Sequence, residues 1–238
     1  IVGRQELLDE LVQRLRGRHS PALSADGLPG VGKTTLAILI ANDERVRDYF
    51  TGGVLWAGLG PIPDIASIQA AWAEALGIDL REVPDPQQWQ ARISAALGDR
   101  RVLVVIDDAW QVEAAEALRC SAPGAAHLLT TRNGSLAREF AGASQSLKVP
   151  VLDDDTALGL LQKLAPEACM ADLEAARRLA YTVGGLPLAV ELLGGYLAAP
   201  ERIVFSDLSQ AALGELDDPA RRLALAQKRL GSTTGKKE

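Results

Sequence analysis

Gly27-Leu28-Pro29-Gly30-Val31-Gly32-Lys33-Thr34 is the strongest local signal in the sequence, and it matches the pattern GxxxxGK[ST]. Its glycines allow the backbone to curl until successive N–H groups face one concavity, and the following helix adds its positive N-terminal end. The stretch therefore predicts a polyphosphate site, in which Lys33 reaches the β- and γ-phosphates and Thr34 ligates Mg²⁺. The alternative is a glycine-rich turn that contains Lys and Thr by chance.

The flanking sequence has the order that a phosphate loop needs. Residues Pro21–Ala25 predict a short strand before the loop, and Lys33–Asn42 predicts a buried helix after it. The loop would then lie at a helix start, where backbone N–H groups lack a partner within the helix. The residues expected to contact the nucleotide are Pro29, Gly30, Val31, Gly32, Lys33, Thr34 and, at the α-phosphate, Thr35.

An acidic pair follows one of the longest apolar stretches of the chain. Val102–Ile106 is uninterrupted by polar residues and mostly β-branched, which is typical of a central parallel strand covered by helices on both faces. Asp107 and Asp108 come next, at the edge where open α/β sheets bind their ligands. We expect Asp107 to hold Mg²⁺ and Asp108 to orient or deprotonate an attacking water. The alternative is that the pair caps the next helix.

Arg132 follows another predicted strand, His127–Thr131. At the same sheet edge it would contact the γ-phosphate and distinguish a triphosphate from a diphosphate, because the planar guanidinium fork matches phosphate oxygens. Asp108 and Arg132 are therefore the candidate catalytic residues. The alternative for Arg132 is an ordinary surface position. Trp110 is expected to serve packing rather than chemistry.

Strands and helices alternate up to about residue 150, which predicts a doubly wound parallel α/β sheet. Its other two strands are predicted at Val54–Ala57 and Ser146–Val149, and its other main helices at Gln5–Arg16, Ile65–Leu76, Gln87–Leu97 and Val112–Leu118. Only helices follow, at Thr156–Leu164, Leu173–Val183, Leu186–Leu197 and Pro219–Leu230. We assign residues 1–150 to a nucleotide-binding domain, 151–231 to a small all-helical domain and 232–238 to an unstructured tail.

Composition narrows the function further. The 238 residues are 47% hydrophobic and 24% charged, as in ordinary globular proteins, and the net charge of −6 argues against sequence-independent binding to nucleic acid. The longest apolar stretches fall far short of the ~20 residues that span a bilayer. No basic-then-apolar leader opens the sequence, and its two cysteines provide no disulfide framework. We expect a cytoplasmic protein without membrane contact.

Taken together, these motifs resemble the NB-ARC domain of the signal-transducing (STAND-class) P-loop ATPases. That family includes plant disease-resistance proteins, apoptotic-protease activating factors and bacterial multidomain regulators. Besides the phosphate loop, the matching pieces are Val2-Gly3-Arg4, Asp107-Asp108-Ala109-Trp110, Thr130-Thr131-Arg132, the leucines within residues 147–161, and Gly184-Gly185-Leu186-Pro187-Leu188-Ala189. The resemblance spans essentially the whole chain.

The resemblance implies a P-loop NTPase sheet in three layers with strand order 2-3-4-1-5, in which the strand before Arg132 lies between the phosphate-loop strand and the Asp107 strand. It also implies that Ile1, Val2 and Arg4 line the adenine pocket and that Pro187 packs on the base. The alternative for Pro187 is simply a helix start after a glycine turn. The family continues into a winged-helix domain, for which no room follows Leu230, so we expect further sensor or repeat domains in a longer chain.

The function implied is an ADP/ATP-dependent molecular switch with slow or incomplete ATP hydrolysis in this fragment. ADP would hold the inactive form, and exchange for ATP would permit assembly. Two alternatives stay open: a DNA-remodelling or loader ATPase of the ring-forming class, and a small-molecule kinase. The acidic composition disfavours the first, and the absence of an Arg-rich lid between Gly134 and Val151 disfavours the second.

Overall fold

A computed structural model of the chain describes residues 2–25, 28–83 and 85–198. The described residues divide into two compact units, one within residues 4–150 and the other formed by residues 2–3 together with 151–198. The predictions at Ile1, at Pro219–Leu230 and at 232–238 lie outside the described residues.

The larger unit is built on a parallel sheet of five strands. The strands are β1 (Ala22–Ser24), β2 (Val54–Gly60), β3 (Val102–Ala109), β4 (Ala125–Thr131) and β5 (Ser146–Lys148). Their order is β2-β3-β4-β1-β5, and every pairing between neighbours is parallel. This confirms the predicted fold class, including the position of β4 between the phosphate-loop strand β1 and the acidic strand β3.

Helices cover this sheet and form its hydrophobic core together with the strands. They are α1 (Gln5–Arg16), α2 (Lys33–Asn42), α3 (Glu44–Tyr49), α4 (Ile65–Leu76), α5 (Trp89–Leu97), α6 (Val112–Glu116) and α7 (Gly134–Ala141). Strand β3 is buried at every residue except Asp108, which is half-buried, so its apolar run lies in the middle of the core as predicted. Among the described helices, none combines the length and the apolar character needed to cross a membrane.

Short helical segments account for most of the differences from the predicted elements. Helix α3 was not predicted, because its six residues are too few to show a helical repeat of apolar positions. Its start depends on the Asp43 side chain, which accepts a hydrogen bond from the Arg45 N–H. Two short 3₁₀-helices, Leu80–Glu82 and Pro86–Gln88, were also missed. Helix α6 ends at Glu116, two residues earlier than predicted.

The smaller unit consists of helices in its described part. They are α8 (Asp154–Leu164), α9 (Pro166–Ala171), α10 (Leu173–Thr182) and α11 (Pro187–Leu197), of which α9 was not predicted. Their apolar faces form a separate core that includes Leu161, Leu179 and Val190. Gly185 has a left-handed backbone, and a Cβ there would lie 2.0 Å from the carbonyl oxygen of Leu152, so this turn requires glycine.

Candidate functional site

The phosphate loop, described at residues 28–33, connects β1 to α2 and depends on two left-handed glycines. Gly30 has φ +76° and Gly32 has φ +96°, a region in which residues with a Cβ are strained. Gly32 is also the N-cap residue of α2, so the loop ends where the helix presents its free N–H groups and positive dipole end. This arrangement suits an anion.

Lys33 lies against this loop and is almost fully buried. Its Nζ donates to the Leu28 carbonyl at 3.4 Å. The pKa of Lys33 is lowered, first by burial and then by the positive charge of Arg132, while Asp108 and Asp107 oppose the shift. One electrostatic neighbourhood therefore contains the lysine, the arginine and both acids that the sequence singled out.

Thr34 and Asp107 face each other across the same edge of the sheet. The Thr34 Oγ1 lies 3.0 Å from both carboxylate oxygens of Asp107. The Thr130 hydroxyl donates to Asp107 Oδ1 at 2.5 Å, so this buried carboxylate is held from two sides. A hydroxyl next to a carboxylate is the donor set that Mg²⁺ takes beside nucleotide phosphates, and these two residues fit such an ion.

The backbone turns abruptly at Asp108. Its φ of +53° is left-handed, and the pairing of β3 with β4 is irregular between Ile106 and Ala109, as in a β-bulge. The Asp108 N–H donates to Thr130 Oγ1 at 2.9 Å. The irregularity sends the two carboxylates to different partners: Asp107 meets Thr34, whereas Asp108 meets Arg132 and Trp110.

Arg132 and Trp110 surround the Asp108 carboxylate. Arg132 Nε lies 3.4 Å from Asp108 Oδ1, and the Trp110 Nε1 donates to Asp108 Oδ2 at 3.1 Å. The Arg132 Cζ lies 5.2 Å from the centroid of the Trp110 ring, within the range of a cation–π contact. Trp110 is 46% exposed, so it lies outside the buried core, and it contacts both candidate catalytic side chains.

Arg4, the residue before α1, extends its side chain to the same loop. Its guanidinium is buried, its Nη2 donates to the Pro150 carbonyl at 2.7 Å, and burial lowers the pKa of Arg4. Its Nη1 has no hydrogen-bond partner among the described residues, and a Cβ placed on Gly32 would lie 3.9 Å from it. A buried guanidinium nitrogen without a partner is costly, and an anion at the loop would satisfy it.

The other predicted contacts occupy varied positions. The Val31 side chain is buried in the core, whereas Pro29 and Thr35 are exposed beside the loop. Pro187 is in the first turn of α11, as its missing N–H allows. Val2 and Pro187 both belong to the smaller unit. An adenine pocket made by Ile1, Val2, Arg4 and Pro187 stays a prediction.

Comparison with known proteins agrees with this architecture. The family model described as "NB-ARC domain" matches residues 4–170, which is most of the chain. The chain belongs to the NB-ARC family. The match includes the phosphate loop, both acidic residues of β3 and Arg132, and extends into the smaller unit.

Relatives of this NB-ARC chain include plant resistance proteins and bacterial regulators. It is 30% identical over 217 residues to putative late blight resistance protein homolog R1B-16 of Solanum demissum, covering 86% of this chain and 17% of that protein. It is 29% identical over 230 residues to the regulatory protein AfsR of Streptomyces griseus, covering 93% of this chain and 23% of that protein. The chain thus spans about a fifth of the length of these relatives.

Among solved structures, the NB-ARC chain resembles a signal transduction ATPase with numerous domains and a tetratricopeptide repeat sensor from Pyrococcus horikoshii. The TM-score is 0.56 at 20% sequence identity, and the likeness covers 90% of this chain and 32% of the other. At this identity the likeness shows the shared fold. It agrees with a P-loop NTPase sheet followed by helices.

Proposed function

We propose that this NB-ARC chain binds ADP or ATP with Mg²⁺ and forms the nucleotide-dependent core of a signalling switch. The observation that carries the proposal is the meeting of Lys33, Thr34, Asp107 and Arg132 at one edge of the sheet. The phosphate loop supplies backbone donors, Lys33 supplies charge, and Arg132 lies near enough to Lys33 to influence its pKa. A polyphosphate tail is the ligand that uses all of these groups together.

Mg²⁺ would be held by Thr34 directly and by Asp107, the latter through water. When bound, it would neutralise charge on the nucleotide phosphates. The short hydrogen bond from Thr130 keeps the Asp107 carboxylate fixed in place, so little reorganisation accompanies binding. Pro29, Gly30, Val31 and Gly32 would contribute backbone contacts, and Thr35 would contact the α-phosphate.

The adenine end of the nucleotide is assigned to Ile1, Val2, Arg4 and Pro187. Arg4 is the best supported of these residues, because its buried Nη1 lacks a protein partner among the described residues and lies beside Gly32. We propose that this nitrogen contacts the bound nucleotide.

Hydrolysis is proposed to be slow, below about one turnover per second, a rate at the low end of those typical of enzymes. Asp108 is the candidate group to orient water, but its carboxylate is engaged by Arg132 and Trp110. A switch needs a ligand that prefers one state, and a full shift from 1:99 to 99:1 requires about 5.5 kcal/mol of differential binding. An Arg132 contact to the γ-phosphate would supply roughly 1.5–3 kcal/mol of this.

The rest of the differential binding energy would come from contacts with further domains. The relatives of this chain are several-fold longer than it is. We infer a cytoplasmic setting and partner domains of winged-helix and sensor type in the whole protein. A DNA-loading role is disfavoured by the net charge of −6.

The direct test is to denature freshly purified protein and identify the released nucleotide by chromatography. Stripped protein is then titrated calorimetrically with ADP, ATPγS and GDP in the presence of Mg²⁺. We expect either retained ADP, or dissociation constants for added ADP and ATPγS well below about 1 mM, the upper end of ordinary KM values. Failure of both adenine nucleotides to bind at that concentration would contradict the proposal.

A further inference from the structure

Asp108, Trp110 and Arg132, hereafter the Trp110 cluster, form a closed set of contacts. Trp110 Nε1 donates to one oxygen of Asp108, Arg132 Nε pairs with the other oxygen, and the guanidinium stands over the indole ring. Each member contacts the other two. Trp110 is the member to which no role in nucleotide binding has been assigned.

Core packing does not explain the position of Trp110. Nearly half of its surface is exposed, whereas Trp72, on α4, is buried within the core of the same unit. An indole that stays half exposed gains only part of the free energy of full burial. The contacts of Trp110 are a hydrogen bond at Nε1 and a cation over the ring. These are contacts that hold a carboxylate and a guanidinium together.

The pair that Trp110 holds is weak enough to exchange. Arg132 and Asp108 are 3.4 Å apart, with side chains 43% and 33% exposed. Exposed ion pairs of this kind contribute little by themselves. A phosphate group offers Arg132 stronger, charge-assisted hydrogen bonds, so a γ-phosphate can compete with Asp108 for the guanidinium.

We propose that Trp110 is a positioning residue that holds Arg132 on Asp108 while no γ-phosphate is present, and so lowers the preference of the site for a triphosphate over a diphosphate. The inference rests on the proposed γ-phosphate contact of Arg132. When a γ-phosphate takes the guanidinium, the cluster opens, and the Asp108 carboxylate becomes free to face water. Arg132 and Asp108 are thus coupled: an arginine held at Asp108 through its Nε is less available to the triphosphate.

The test compares the affinities of the stripped chain for ATPγS and ADP, with Mg²⁺, in Trp110→Ala and Trp110→Phe. The ADP affinity of each variant is its internal reference, because ADP lacks the phosphate in question. Trp110→Ala is expected to raise the ratio of ATPγS to ADP affinity about two- to five-fold, the range of one exposed cation–π contact. Trp110→Phe keeps a ring for Arg132 but loses the donor to Asp108, and should give a smaller rise.

Three variants separate this inference from the proposed function. Arg132→Ala should lower the same ratio, and adding Trp110→Ala to it should then have no further effect. An unchanged ratio in Arg132→Ala would refute the γ-phosphate contact and the inference with it. A lowered ratio in Arg132→Ala, with an unchanged or lowered ratio in Trp110→Ala, would overturn only the role of Trp110. Trp89→Phe, which removes an indole N–H bonded to the Val83 carbonyl, is the matched control and should leave the ratio unaltered.

Tryptophan emission supplies a second readout that a merely structural role would not move. The part of the signal lost in Trp110→Phe belongs to Trp110, which separates it from the other three tryptophans. ATPγS should change this part, because Arg132 leaves the ring, and ADP should not. An identical change with both nucleotides, or none with either, would overturn the inference.

Discussion

The two acidic residues that end β3 are neighbours in sequence but lie in opposite surroundings. Asp107 is buried and receives hydroxyl groups from Thr34 and Thr130. Asp108 is half-buried and meets Arg132 across a long, exposed ion pair. Under the proposed function the first has a constant task, holding Mg²⁺, whereas the second has a partner, Arg132, that a γ-phosphate would take. If the proposed function is right, the first residue serves the binding of a nucleotide and the second the discrimination between nucleotides.

Thr130 connects the two regions. Its hydroxyl donates to the Asp107 carboxylate and accepts from the Asp108 N–H, and so it fixes the backbone where the two side chains diverge. The left-handed Asp108 requires such support, since this backbone region is unfavourable for residues other than glycine.

Of all the substitutions, removal of the Lys33 side chain should lower the affinity for nucleotide the most. Lys33→Ala loses charge-assisted contacts to two phosphates, and we expect affinity for ADP and ATPγS to fall about 100-fold or more. Calorimetric titration of the stripped protein measures this. Lys163→Ala removes an exposed lysine from α8 and serves as the control. Equal affinities in Lys33→Ala and the unmutated chain would remove this lysine from the site.

Acid should weaken the sheet beneath both regions. Burial, and next the charge of Arg119, lower the pKa of His127 to about 4. The neutral imidazole accepts from the Cys120 N–H through Nε2. A histidine with a depressed folded-state pKa contributes stability that is fully present above about pH 6.5 and is lost as pH falls towards 4. We expect a loss of about 2 kcal/mol in unfolding free energy between pH 7 and 5 from this group.

Denaturant unfolding at several pH values measures this loss. His127→Gln should flatten the pH dependence relative to the unmutated chain, and His19→Gln, at an exposed position, is the control for the substitution itself. If His127→Gln keeps the full slope, the acid sensitivity arises from other groups.

Loss of the Asp107 charge should affect metal more than nucleotide. In Asp107→Asn we expect the apparent Mg²⁺ affinity of the ADP complex to fall about ten-fold, the low end of the effect of disturbing groups around a bound metal. Titration with Mg²⁺ at fixed ADP measures this affinity, and ADP binding in excess EDTA gives the metal-free reference. Asp99→Asn, on an exposed turn, is the control. A variant whose ADP binding responds to Mg²⁺ like that of the unmutated chain would separate Asp107 from the metal.

Much of the fold could be predicted because its signals are local. The apolar run before Asp107 defines a buried strand, and the glycines before Lys33 define the loop. The different directions of the Asp107 and Asp108 side chains could not be predicted, because they depend on an irregular pairing between β3 and β4. The place of Arg4 depends on a carbonyl 146 residues away.

Thr130 and Trp110 show the same limit at the site. Both stand within motifs that the sequence identified, yet their roles depend on which groups they meet across the sheet. The hydroxyl of Thr130, two residues before Arg132 on the same strand, was the available signal for its role. Trp110 gave none, because an aromatic residue after an acidic pair is equally typical of a core position.

The most direct test of the whole account is a crystal structure of the chain with Mg²⁺ and ATPγS. We predict that the phosphates lie within the loop, with Lys33 Nζ between the β- and γ-phosphates, Thr34 on the metal, and Arg132 moved from Asp108 onto the γ-phosphate. A nucleotide bound elsewhere, or bound in the loop with Asp107 and Arg132 both remote from its phosphates, would contradict it.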